Sequence, residues 1–129
     1  MDTGKTKKYY EALPPEDVCQ CECCQNYVRQ VRSAYPLVAD YLQGLGVDIE
    51  KPLETWPLES EENGEIDYLD VQYVVLGSRV GFRKTKISDV CIEIAESHPP
   101  TNIRDAHFVI QADRVRLKWQ IPSDPGLQE

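Results

Sequence analysis

Arg114-Val115-Arg116-Leu117-Lys118-Trp119-Gln120-Ile121 alternates charged or polar residues with apolar ones without a break. Side chains on a strand point to opposite faces at every step, so this period of two predicts a strand with one buried and one wet face. Val115, Leu117, Trp119 and Ile121 would point inward, and Arg114, Arg116, Lys118 and Gln120 outward. Such half-buried strands belong to antiparallel sheets that cover a core on one side.

Working back from this stretch, Phe108 and Ile110 predict a further strand, joined to it by a tight Ala112-Asp113 turn. Ser97 to Asp105, with Pro99-Pro100, reads as a loop. Val90, Ile92 and Ile94 alternate with Cys91, Glu93 and Ala95, another half-buried strand. Arg79 to Lys84 predicts a short strand, and Ile66 to Leu76 a long one ending at Gly77. Asn63-Gly64 is the strongest turn signal, because both residues tolerate the positive φ of a tight hairpin. Leu53 to Leu58 would be its first strand, weakened by Pro57.

Further towards the N-terminus the period changes. Cys24, Tyr27 or Val28, Val31 and Tyr35 recur at three- and four-residue steps, which predicts a helix from Cys23 to Ala34. Pro36 opens a second helix with Val38, Tyr41, Leu42 and Leu45 as its buried stripe, and Gly46 caps it in a left-handed conformation. Leu13-Pro14-Pro15-Glu16-Asp17 is a stiff turn, and residues 1–12 and 122–129 read as flexible tails. The expected architecture is α+β: a single domain over 1–129, with two short N-terminal helices on one face of a mostly antiparallel sheet of about five strands.

A chain of 129 residues can bury a core without a disulfide or metal. No apolar run reaches the length of a membrane span, and no apolar stretch follows the basic N-terminus as a secretory signal requires. A cytoplasmic location with reduced thiols is the expectation.

The net charge of −8 is concentrated. Asp48 to Asp70 holds nine acids against one base, Lys51, and the rest of the chain is neutral. Such a segment repels nucleic-acid phosphates and anionic membranes and attracts a basic protein surface. Trp56, Glu59, Glu61, Glu62 and Glu65 form the candidate protein-binding epitope. The plain alternative is a solvated loop. Arg114, Arg116 and Lys118 share one strand face, where they could grip an anion or protect a sheet edge.

Cys19, Cys21, Cys23 and Cys24 crowd into six residues. Cys21 and Cys24 have the spacing that lets one turn offer two thiolates to one zinc ion, with the helix dipole stabilising them. Cys19 and Cys91 are the candidates to complete the set, and His98 and His107 are further donors. Adjacent Cys23 and Cys24 cannot easily serve one ion. Thiol redox chemistry is a second reading, although thioredoxin-like folds place such a motif after a strand. Buried structural cysteine is a third. No serine elbow, placed acid partner or phosphate loop accompanies the histidines, so no catalytic residue is assigned.

Cys19-x-Cys21-x-x-Cys24-Gln25-Asn26-Tyr27, followed by Leu45-Gly46-Val47-Asp48-Ile49-Glu50-Lys51-Pro52, resembles a group of small uncharacterised bacterial proteins. The resemblance spans the first half of the chain. It implies a bacterial cytosolic protein and no activity. The functional expectation is therefore an acidic module for a basic protein partner, immunity- or antitoxin-like by analogy. A zinc-binding domain is the alternative, and a thiol redox protein the second alternative.

Overall fold

The computed structural model describes residues 1–14, 18–60 and 64–120, the side chains of Glu59 and Ser60 excepted. Three helices precede five strands: α1 (Thr3–Ala12), α2 (Glu22–Ala34), α3 (Pro36–Gly44), β1 (Glu54–Ser60), β2 (Glu65–Leu76), β3 (Thr85–Ile87), β4 (Val90–Ile94) and β5 (His107–Lys118). The strands form one antiparallel sheet in the order β1-β2-β5-β4-β3. The α+β architecture read from the periodicities is the observed one. The hairpin β1–β2 pairs Ser60 with Glu65, with Gly64 at φ +64°. Residues 61–63 of its turn lie outside the described residues, as do 15–17 of the Pro14-Pro15 turn and 121–129 of the C-terminal tail.

α2 lays Cys24, Tyr27 and Val31 on the sheet, and α3 adds Val38, Ala39 and Leu42. These meet Ile66, Tyr68, Val71, Tyr73 and Val75 of β2 and Ile110, Ala112, Val115 and Leu117 of β5. Each large apolar side chain so buried contributes on the order of 1.5–3 kcal/mol, so this layer dominates the stability. The Tyr73 hydroxyl donates to the Ile49 carbonyl at 2.7 Å, which leaves Tyr27 as the donor in their mutual 2.6 Å contact. Both phenols are thereby satisfied inside the core.

Three expectations are corrected. First, Ala112-Asp113 is not a turn: β5 runs unbroken beside the whole of β2. The buried positions of β5 switch from Phe108, Ile110 and Ala112 to Val115 and Leu117 across Arg114, which sits at φ +67°. On β2 they switch from Ile66 and Tyr68 to Val71, Tyr73 and Val75 across Leu69. Each strand carries one extra residue at the same level, so the register is kept while the alternation slips. A slipped alternation reads in sequence as two strands and a turn. The β1–β2 register also shifts there, between Trp56 and Pro57. Pro57 is tolerated because β1 is an edge strand.

Second, the short strand after Gly77 is Thr85–Ile87; Arg79 to Lys84 lies outside it. Third, Thr3–Ala12 is a helix where a flexible tail was expected. Asp2 caps it, accepting from the Lys5 N–H at 3.0 Å. α1 lies along the edge of β2 that β1, beginning at Glu54, leaves uncovered. Asp2 N–H donates to Leu76 O at 2.8 Å, Leu76 N–H to Thr6 Oγ1 at 2.9 Å, and Tyr10 Oη–H to Val74 O at 2.7 Å. Only Thr6 and Tyr10 of α1 are buried, so it has no apolar stripe to announce it. Lys51 Nζ then ties the end of α1 down through Tyr10 O and Leu13 O at 2.7 and 2.8 Å.

Candidate metal centre

The thiol cluster is built by the start of α2. Cys21 is the N-cap, in extended conformation, and its Sγ accepts from the Cys24 N–H at 3.4 Å. A cap residue folds its side chain back over the third helical position, so Cys21-x-x-Cys24 places two sulfurs on one helix end. Gln25 Nε2 donates to Cys19 O at 3.1 Å and folds the preceding segment against the same end. The Sγ atoms of Cys19, Cys21 and Cys24 lie within 4.8 Å of one another. Cys19 and Cys21 are exposed, and Cys24 is buried beneath them.

The three thiols differ electrostatically. Partial burial pushes the Cys21 thiol up. The Cys24 N–H, the Cys19 and Cys24 thiols and the Cys23 N–H outweigh that, so its pKa falls below the usual thiol value. Cys24 is held far above the usual value, chiefly by burial and then by Cys21 and Cys19, with the Thr55 hydroxyl pulling the other way at 3.1 Å. Cys23 is half-buried and packs against the main core, and its carbonyl accepts from the Tyr68 hydroxyl. Burial raises Tyr68 to about 12, so it remains a donor at neutral pH.

Cys91 does not join this cluster. It alternates on β4 with Val90 and Ile92, which face the helices, so its thiol lies on the opposite, open face of the sheet. There it groups with Glu93 and Asp113. His107 is engaged by Thr101 Oγ1 and Asp105 O, each at 2.8 Å, and His98 Nδ1 by Pro99 O at 2.8 Å. Among the described residues, no further cysteine, histidine or carboxylate completes the Cys19-Cys21-Cys24 set.

Part of the acidic segment is neutralised by arginines. Arg32 binds Asp48 at 3.1 Å and Glu50 at 2.6 Å, and Arg116 binds Asp67 at 2.6 Å. The basic row of β5 lies beyond the stretch that pairs with β4, and Arg116 is engaged by Asp67 of the neighbouring β2. Of the expected epitope, Trp56 is 60% exposed and Glu65 is half-buried opposite Lys118. The Glu59 side chain and Glu61 and Glu62 lie outside the described residues.

Sequence reading missed a second group of acids, on the open face. Asp70 of β2 pairs across to Asp113 of β5, and Asp113 to Cys91 of β4. Burial, then Asp70 and Glu93, raise the Asp113 carboxyl to about 7, with Lys84 opposing. The signal was the period-two pair Asp70 and Gln72 facing Gln111 and Asp113, hidden by reading Ala112-Asp113 as a turn. The folded protein thus holds the Asp113 proton more tightly than the unfolded chain, whose aspartate titrates near about 3.9. This group's contribution is full below about pH 4 and is lost as pH rises through about 7. Asp113→Asn should remove that slope and raise stability above pH 7 by about 1 kcal/mol, once solvent screening is allowed for. Urea unfolding of both proteins at pH 4 and pH 8 checks it; an unchanged difference between the two pH values would contradict the assignment.

Fold and site together define an α+β domain with a three-thiol cluster at a helix start and an acidic open sheet face. No family model matches the chain, and no curated protein and no solved structure matches it. Among the described residues, no helix is long and apolar enough to cross a membrane.

Proposed function

We propose that the chain is a metal-binding domain that holds a soft cation, zinc being the ion its donors fit best, on Cys19, Cys21 and Cys24. The observation that carries this reading is the convergence of the three sulfurs within 4.8 Å. With zinc–sulfur bonds of about 2.3 Å, a tetrahedral site separates its sulfurs by about 3.8 Å, which falls inside that limit. Cys21 supplies the first thiolate, because its pKa is already lowered by the helix start. Cys24 would lose its proton to solvent only as a metal takes its place on the sulfur, and the Thr55 hydroxyl would then donate to the buried thiolate. Three protein ligands leave the fourth position to an exchangeable ligand, the pattern of open rather than closed zinc sites. A reducing, cytosolic compartment keeps such thiols available.

Protein purified without a metal-affinity step should carry about one equivalent of zinc. Cys21→Ser should lose it, while Cys91→Ser should keep it. Cobalt substitution should produce a sulfur-to-metal charge-transfer band that Cys21→Ser abolishes. Zinc below about a tenth of an equivalent, with no cobalt band on titration, would refute the reading.

A further inference from the structure

The open face of the sheet carries a second feature, independent of the thiol centre. β1, β2, β5 and β4 set two cross-strand rows on it. One runs Trp56, Asp70, Asp113, Cys91, and the other Glu54, Gln72, Gln111, Glu93. Between them lies a cleft of about 530 Å³ lined by Trp56, Asp70, Gln72, Glu93, Glu96 and Gln111.

Its chemistry is one-sided. Three carboxylates line it, and Asp113 stands beside Asp70. Gln72 is only 5% exposed, and its Nε2 donates to Ser97 O at 2.9 Å. Among the described residues its Oε1, which is buried, finds no partner. An unsatisfied buried acceptor costs about 1–3 kcal/mol, so a donor brought to it by a ligand relieves a standing penalty. Gln111 Nε2 turns one N–H to Asp113 Oδ1 at 3.4 Å. Beside these acceptors stands the Trp56 ring, 60% exposed. The cleft therefore asks for a positively charged group with several N–H donors and a flat face.

We propose that this cleft receives an arginine side chain from a protein partner, its guanidinium lying on Trp56, paired with Asp70 and Glu93, and donating to Gln72 Oε1. A guanidinium offers five N–H donors in one plane and stacks on an indole; an ammonium does neither. A divalent cation suits the neighbouring Cys91, Glu93 and Asp113 less well. Glu93 Oε2 there accepts from the Cys91 thiol at 3.5 Å and lies 3.4 Å from Lys84 Nζ, so the guanidinium would pair with Glu93 through Oε1. Burial and the Glu93 carboxylate hold that thiol protonated, above its ordinary pKa.

The test is titration with a blocked Gly-Arg-Gly-Arg-Gly peptide at low salt, followed by tryptophan fluorescence and side-chain amide chemical shifts. The expected result is saturable binding that changes Trp56 emission and moves the Gln72 amide signal. Trp56→Ala and the pair Asp70→Asn with Glu93→Gln should each weaken it about tenfold or more. Both substitutions touch exposed or partly exposed groups, and circular dichroism verifies their folding. The corresponding lysine peptide should bind several-fold more weakly. Cys21→Ser should bind the arginine peptide as the native protein does, which keeps this result separate from the zinc reading. Four results would each overturn the proposal: no saturable binding at millimolar peptide, equal affinity for free arginine, equal affinity for the lysine peptide, or magnesium or zinc moving the Gln72 signal in place of the peptide.

Discussion

Asn26→Ala is expected to lower the unfolding free energy by about 3 kcal/mol. Asn26 is fully buried on α2, and its amide joins that helix to the end of β5. Its Nδ2 donates to Lys118 O at 3.0 Å and, more weakly, to Tyr68 Oη at 3.4 Å. Its Oδ1 accepts from Gln120 N–H at 2.8 Å and Gln30 Nε2 at 2.8 Å. Alanine removes both sides of the amide at once. Lys118 O keeps its bond from Gln30 Nε2 at 2.6 Å, and Tyr68 keeps its bond to Cys23 O. Among the described residues Gln120 N–H has no other partner and is left to solvent, and a cavity replaces the side chain. The cost of one abandoned donor, several lost bonds and a void adds to the figure above. Urea unfolding measures it, and a loss under about 1 kcal/mol would show that the network is not what holds α2 to β5. Because α2 also begins the thiol cluster, Asn26→Ala should weaken zinc binding along with stability.

The parts legible in the sequence are those with an undisturbed period. α2 showed Cys24, Tyr27 and Val31 at helical steps, and all three are buried. β4 showed Val90 and Ile92 alternating with Cys91 and Glu93, and the former pair is fully buried. Where two periods collide, reading fails. Arg114 at φ +67° shifts the inward set of β5 by one residue, and nothing in Gln111-Ala112-Asp113-Arg114 distinguishes that from a turn. α1 was illegible for a different reason. It is held by main-chain bonds to a sheet edge, and hydrogen bonds to Val74 O and Leu76 leave no mark on side-chain hydropathy.

The site divides along the same line. Cys21 and Cys24 are brought together by the geometry of a helix cap, a local relation that spacing encodes. Cys91 belongs to another face, and only strand pairing decides that. Asp70 and Asp113 are neighbours solely because β2 and β5 lie side by side, so the acidic cleft is a property of the sheet and not of any segment. Counting acids from Asp48 to Asp70 finds charge, but Arg32 and Arg116 take up Asp48, Glu50 and Asp67. Strand pairing collects Asp70, Asp113 and Glu93 on the open face.

Gly46→Ala should be at least as damaging, at about 3–4 kcal/mol, and should act through α1 rather than through the helix it follows. Gly46 stands at φ +85°, a conformation that costs an L-residue about 1–2 kcal/mol. A Cβ there would also meet Thr3 O at 2.5 Å and Lys7 N at 2.9 Å. Both atoms are backbone of α1, so no rotamer change relieves the contact. Either the α3–β1 connection moves outward or α1 lifts from the β2 edge. The second breaks the bonds of Asp2, Thr6 and Tyr10 to Val74 and Leu76, and exposes the smaller apolar cluster in which Tyr9 packs on Val74, Leu76 and Val109. Gly44→Ala is the control, since nothing lies within 4 Å of the added carbon and it closes α3, where alanine gains about 0.5–1 kcal/mol over glycine. Hydrogen exchange should show faster exchange at the Thr6 and Leu76 amides in Gly46→Ala and unchanged exchange in Gly44→Ala. If the two variants unfold within about 1 kcal/mol of each other, then α1 does not depend on close approach at Gly46, and the edge of β2 is held by its hydrogen bonds alone.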